Sequence, residues 1–184
     1  MSRIEYNVTK YIDEPLGDIS TNPRYIIQTK GLKPIVCIGI NPNTATNIKP
    51  DPTVKKVLTY TMNHTNNKFD SIIMLNVYPQ RSQTVAELPY DGNENKELIA
   101  KNLFTINNII CKLDMPITVW CAWGQDIVDK NRKYLLKCKN DIVDLINKYN
   151  VNWICIQETK KGFPHHPSRM HYDWKFKIYD PKKR

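Results

Sequence analysis

Four short stretches of this 184-residue sequence place polar side chains directly after an apolar run. Asn41-Pro42-Asn43-Thr44 follows the run Pro34 to Ile40, and Asn76-Val77-Tyr78-Pro79-Gln80-Arg81 follows Ser71 to Leu75. Trp123-Gly124-Gln125 follows Ile117 to Ala122, and His165-His166-Pro167-Ser168-Arg169-Met170 comes a short loop after Asn152 to Ile156. Carboxamides, a hydroxyl and a histidine pair can donate, accept and orient without a metal. No acidic cluster accompanies them, which argues against a two-metal nuclease site. Neither GxGxxG nor GxxxxGK[ST] occurs, so a dinucleotide fold and a P-loop are unsupported. The five cysteines include no CxxC pair, and an odd count argues against a disulfide framework. Cys37, Cys121 and Cys155 lie inside apolar runs and read as core residues. No metal and no cofactor are expected.

Those polar groups need elements to hold them. Each apolar run is continuous rather than alternating, as in a strand buried on both faces. Between the runs lie segments with helical spacing: Thr53 to Asn66, Asn93 to Leu113 and Asp141 to Tyr149. Buried strand, helix, buried strand implies βαβ units. The expected fold is α/β: a three-layer αβα sandwich with a four-stranded, mainly parallel central sheet and an N-terminal strand or hairpin extension. Arg24 to Gly31 reads as a strand leading by a tight turn into the first buried run, and Trp174 to Tyr179 as an edge strand. The chain reads as one domain, 1–184, with the extension over 1–33 and a frayed basic tail over 180–184. In an open α/β sheet, ligands bind beyond the carboxyl ends of the strands, where the four polar stretches converge.

The chain is 41% hydrophobic and 24% charged, an ordinary globular composition that excludes disorder throughout. No stretch approaches the roughly 18 apolar residues of a membrane span, and no secretory signal is visible, so a cytoplasmic protein without membrane contact is expected. The 27 basic residues outweigh 18 acidic ones, for a net charge of +9. Such a field favours a polyanionic partner, nucleic acid first.

The four segments, in this order, resemble the uracil-DNA glycosylase superfamily. Gly39-Ile40-Asn41-Pro42 resembles its first motif, in the Asn form of the mismatch-specific and single-strand-selective branches. His166-Pro167-Ser168 is similar to the second motif. Asn76 resembles the strand-end Asn that reads the flipped base, and Trp120 to Gly124 resembles the third strand's run ending in Trp-Gly. The order is also similar to that of a family of small bacterial and phage proteins. The resemblance spans roughly Pro34 to Met170.

The resemblance implies a metal-free DNA glycosylase acting on a pyrimidine flipped from single- or double-stranded DNA. The bond between sugar C1′ and the base nitrogen breaks, positive charge develops on the sugar, and an abasic site remains. His166 would donate to a base carbonyl, and Asn41 would orient the water, since an amide is no base at neutral pH. Asn76 would read the uracil-like edge. Asn43 stands where the fastest branch carries a Tyr, leaving space for a 5-modified pyrimidine. Ser168, Arg169, Lys160 and Lys161, with Lys55 and Lys56, would contact phosphates, and Met170 would wedge into the base stack. Tyr78, Tyr60 and Phe163 are candidates to stack on the base.

Each role has a plainer alternative. His166 could be a surface loop histidine, Asn41 a cap on the Pro42 turn, Asn76 a tie for the following loop and Met170 a core residue. Three functions compete: a monomeric glycosylase serving repair or phage-related defence through modified bases, a non-catalytic nucleic-acid or nucleotide-binding module with the same pocket, and an enzyme on free nucleosides or nucleotides.

Overall fold

Continuous apolar runs form strands covered on both faces, and here they build the centre of one sheet. The structure, a computed structural model, describes residues 4–13, 22–66 and 68–183. Of the expected extension and tail, residues 1–3, 14–21 and 184 lie outside the described residues. The elements follow as β1 (Val8–Asp13), β2 (Arg24–Thr29), β3 (Pro34–Gly39), α1 (Pro52–His64), β4 (Ser71–Asn76), α2 (Lys96–Ile110), β5 (Ile117–Cys121), α3 (Lys133–Ile146), β6 (Val151–Cys155) and β7 (Lys177–Ile178). The protein is α/β, but its sheet is larger than expected and mixed. Seven strands run in the order β1-β2-β4-β3-β5-β6-β7. Pairings β4·β3, β3·β5 and β5·β6 are parallel, while β1·β2, β2·β4 and β6·β7 are antiparallel.

The strands alternate their burial between two cores. Val36, Ile38, Ile73, Leu75, Val119 and Cys121 meet α2 and α3 through Ile106, Ile109, Ile110, Leu135, Ile142 and Val143. Ile35, Cys37, Ile72, Met74 and Trp120 meet α1 through Val54, Val57 and Leu58. Each fully buried aliphatic side chain stabilises the fold by about 1.5–3 kcal/mol. An aspartate at position 57 would face the sheet and break the α1 layer.

Local chemistry sets the helix starts. Asp51 caps α1, its carboxylate accepting from the Val54 N–H at 2.8 Å, and Pro52 occupies the first helical position. Asn95 caps α2, accepting from Glu97 and Leu98 N–H. The third helix begins at Lys133, eight residues before the expected Asp141. Arg132 precedes it with no side-chain cap, so the usual start signal is absent.

The expected strand over Arg24 to Gly31 is present as β2, and its turn leads into β3. The turn after β2 does not close a hairpin with β3, because β4 lies between them. The Asp70 carboxylate accepts from Leu32 N–H at 3.1 Å and Lys33 N–H at 2.7 Å, tying that turn to the start of β4. A Cβ on Gly31 would sit 2.5 Å from Asp70 and Ser71, so only glycine permits this approach. The described part of the expected tail, residues 180–183, is anchored rather than frayed: the Lys139 ammonium donates to the Pro181 carbonyl at 2.8 Å, and Lys182 pairs with Asp144.

The chain leaves β3 for β4 on one side, then crosses to β5 on the other. The carboxyl ends of β3 and β5 therefore flank a topological switch point, where open α/β sheets hold ligands.

Candidate functional site

A cleft of about 350 Å³ opens at that switch point, within the roughly 300–1,000 Å³ range of small-molecule sites. Asn41 and Asn43 line it from the loop after β3, Trp123 to Asp126 from the loop after β5, and His165, His166, Ser168 and Arg169 from the segment after β6. Three of the four stretches singled out in the sequence thus meet in one cavity.

His166 caps a short 3₁₀ turn, Pro167–Arg169. Its Nδ1 accepts from the Ser168 backbone N–H at 3.3 Å and lies 2.7 Å from the Ser168 hydroxyl. Acceptance at Nδ1 places the proton of a neutral ring on Nε2. Burial, and then the Arg169 charge, push the His166 pKa below its ordinary value, while Asp126 and Asp51 act against them. The ring is therefore neutral at physiological pH, with one N–H left to donate. Gly124 makes room for it: its φ is +76°, and a Cβ there would lie 3.3 Å from the His166 Cβ.

Asn41 is held by its own amide. Its Nδ2 donates to the Ser82 carbonyl at 2.9 Å, and also lies 2.8 Å from the Ser82 hydroxyl and 3.0 Å from the Pro42 carbonyl. That fixes the side chain and leaves Oδ1 as the acceptor. Asn43 is half-buried, and its carbonyl accepts from the Arg81 guanidinium. His165 also lines the cleft, its ring 5.0 Å from that of Trp174; burial is the main cause of its lowered pKa.

The stretch directly after β4, Asn76 to Arg81, does not join them, although Ser82 to Val85 further along that loop do line the cleft. Asn76 is fully buried and serves as a tie. In the amide orientation that satisfies its neighbours, it donates to the Leu75 and Asn41 carbonyls at 3.3 and 3.2 Å and accepts from Arg24 at 3.3 Å. Asn102 on α2 donates to the backbone carbonyls of Asn76 and Val77 at 2.9 and 3.2 Å. Tyr78 is not a stacking platform. It is fully buried against Tyr134, and its hydroxyl accepts from the Asn95 N–H at 3.1 Å. Tyr60 and Phe163 are core residues as well. Among the described residues, Trp123 is the one Phe, Tyr or Trp ring on the cleft lining, and it is only 1% exposed.

The expected DNA contacts divide similarly. Ser168 and Arg169 are exposed at the cleft. Met170 is not an exposed wedge: at 3% exposure it packs in the core beside α1. Lys160 and Lys161 stand exposed on the turn closed by Gly162 N–H to the Thr159 carbonyl, outside the cleft lining. Lys56 donates to the Ser168 carbonyl at 2.8 Å and braces the 3₁₀ turn.

Three charged cleft residues, along with uncharged ones such as Ser82, carried no site assignment in the sequence. Arg24 is 1% exposed, lines the cleft, and has its pKa lowered to about 10, chiefly by burial. Asp51 accepts from Ala45 N–H as well as Val54 N–H. Asp126 adds an exposed carboxylate. Arg24 opens an antiparallel strand, and Asp51 reads first as a helix cap, so neither carried a site signal. Asp126 lies one residue beyond Trp123-Gly124-Gln125 and was within reach.

No curated protein and no solved structure matches the chain. One family model does, described as "Protein of unknown function (DUF1643)", over residues 24–168. That match runs from the first residue of β2 to Ser168 and takes in the loops after β3 and β5 as well as His166, so the chain belongs to the DUF1643 family.

Proposed function

We propose that the cleft is the active site of a monofunctional DNA glycosylase acting on a flipped pyrimidine, on an α/β core of the uracil-DNA glycosylase type. The observation that carries this reading is the pairing of a neutral His166, its free N–H on Nε2, with a fixed Asn41 at one switch-point cleft. Departure of the base leaves negative charge on its ring and positive charge on the sugar. The His166 N–H stabilises the base carbonyl as that charge grows, without transferring a proton. Asn41 Oδ1 holds a water, which adds to C1′ as the C1′–N bond breaks. The water's proton goes to solvent, the base takes one up on release, and the products are a free base and an abasic site.

The positive net charge supports DNA as the partner, with Ser168 and Arg169 at the cleft edge as phosphate contacts. Met170 is buried, so the wedge belongs elsewhere. Ile48, 83% exposed on the loop before α1, is the apolar tip nearest in sequence to the cleft residue Asp51. Asn43 leaves the 5-position of the base open to a substituent.

A second reading, a non-catalytic binding module, draws on Asn41: its N–H groups are committed to Ser82 and Pro42, and it is no base. The two readings separate on labelled oligonucleotides carrying uracil, mismatched uracil or hydroxymethyluracil, treated with alkali after incubation. Alkali-labile breaks lost in His166→Ala and Asn41→Ala support the glycosylase. Tight DNA binding with no break on any substrate supports the module.

A further inference from the structure

Two buried guanidiniums at and behind the floor of the cleft, those of Arg24 and Arg81, keep N–H groups that no described residue accepts. Arg24 is 1% exposed, yet among the described residues its five N–H donors find only two long acceptors, the Ala45 carbonyl at 3.5 Å and the Asn76 amide oxygen at 3.3 Å. Its Nε is buried with no partner. Arg81, 5% exposed, lies on a second cavity of about 420 Å³ that shares Asn43, Ser82 and Gln83 with the first. Among the described residues its guanidinium bonds only neutral acceptors, the Asn43 and Ala45 carbonyls and the Tyr11 hydroxyl, and its Nε is also buried and unpartnered.

Asp51, Glu87 and Asp13 stand near these two cations, but each is engaged elsewhere: Asp51 accepts from Val54 and Ala45 N–H, Glu87 on the second cavity accepts from Gln83 and Thr84 N–H, and Asp13 bonds the Tyr11 hydroxyl. The nearby tyrosines supply no charge: burial raises the Tyr6 hydroxyl to about 12 and raises Tyr11 too. A buried guanidinium with an N–H left unpaired is costly, so a ligand that brings an anion to it is favoured.

This end of the cleft is distinct from the His166 end. Arg24 begins β2 on the β4 side of the switch point, whereas His166 lies against Gly124 on the β5 side. A ligand presenting one edge to His166 turns its opposite edge toward Arg24.

From this geometry we infer that the floor formed by Arg24, with Arg81 behind it, is a subsite for an oxyanion carried on the ligand at the edge remote from His166. The placement of that edge rests on the glycosylase reading; the anion subsite does not. Burial of Arg24 excludes the phosphodiester backbone of DNA, so the oxyanion sits either on the base or at the phosphate end of a free nucleotide.

The test is calorimetric titration of the full chain with two matched pairs: 5-carboxyuracil against 5-hydroxymethyluracil, and deoxyuridine 5′-monophosphate against deoxyuridine. The expected result is about tenfold or more tighter binding of the anion in one pair, as charge-assisted hydrogen bonds give. A preference in the first pair assigns the oxyanion to the base, and one in the second assigns it to a nucleotide. Arg24→Gln should abolish the preference. Should it fail to fold, Asn43→Asp replaces it, adding a carboxylate to the half-buried lining with the same expected loss. Equal binding within both pairs overturns the proposal, as does a preference that survives in a folded variant. Cleavage does not enter this readout. A protein that prefers the anion but never makes an abasic site keeps the subsite and loses the glycosylase.

Discussion

The loops after β4 and β6 leave the carboxyl ends of parallel strands in the same sheet, and both carry polar side chains. The first residues after β4 are sealed, and the segment after β6 is open. After β4, Asn76 and Tyr78 are fully buried, and Asn102, Arg24 and Asn95 account for their bonds. After β6, His166, Ser168 and Arg169 bond mainly within their own turn and keep one side on the cleft. The cause is the neighbourhood. β4 is flanked by β2 and β3 and covered by α2, so its polar end is enclosed, and enclosed polar groups must be paired. The segment after β6 stands near the thin β7 edge and is free to fold over the cleft. Polar residues at a strand end therefore mark a site only where the surroundings leave their hydrogen-bonding capacity unspent.

Substitutions can break or sharpen this contrast. His166→Ala should cost the most, about 10²–10³-fold in abasic-site formation, the usual cost of one preorganised donor. Gly124→Ala should come next. A side chain at φ +76° is strained by about 1–2 kcal/mol and presses on the His166 Cβ, so a roughly tenfold slower reaction with a lowered melting temperature is expected.

The pH profile follows from His166. Its folded pKa lies below the ordinary value of about 6.5. Turnover should stay level above pH 7 and decline only on the acid side, where protonation of Nδ1 ends its acceptance from Ser168. The same group adds stability that is complete above the unfolded pKa and disappears as pH falls through the folded one. A profile with its midpoint above pH 7 would contradict this assignment.

On the sealed side, Asn76→Ala should lower stability by about 1–3 kcal/mol in urea titration, because it strips Arg24 and the Asn41 carbonyl of a partner. Tyr78→Phe should be the mildest, costing about 1 kcal/mol of stability and leaving turnover within about twofold. Loss of turnover in Tyr78→Phe as large as in His166→Ala would erase the distinction between the two loops.

Much of the architecture was legible in the sequence because burial on both faces writes a continuous apolar run, and β3, β4, β5 and β6 each do so. The Asp51-Pro52 helix start was legible for an equally local reason. The antiparallel additions were less so. β7 is two exposed residues, and β1 alternates weakly, so neither has a periodic signal. For the candidate site, position after a strand pointed to Asn41, Asn43, His166, Ser168 and Arg169, all of which line the cleft. That same rule misplaced Asn76 and Tyr78, because position does not report which neighbours spend a polar group. Met170 was open between wedge and core, and packing against the α1 face decides it. Arg24 was invisible, since a buried cation on a flanking strand depends on tertiary structure alone.

The most direct test compares wild type, His166→Ala and Tyr78→Phe on DNA containing uracil and 5-modified pyrimidines, with released free base identified by mass spectrometry. The account predicts release of one base by wild type and Tyr78→Phe and none by His166→Ala. Release by His166→Ala at the wild-type rate, or no release by any protein that nonetheless binds the DNA, would contradict it.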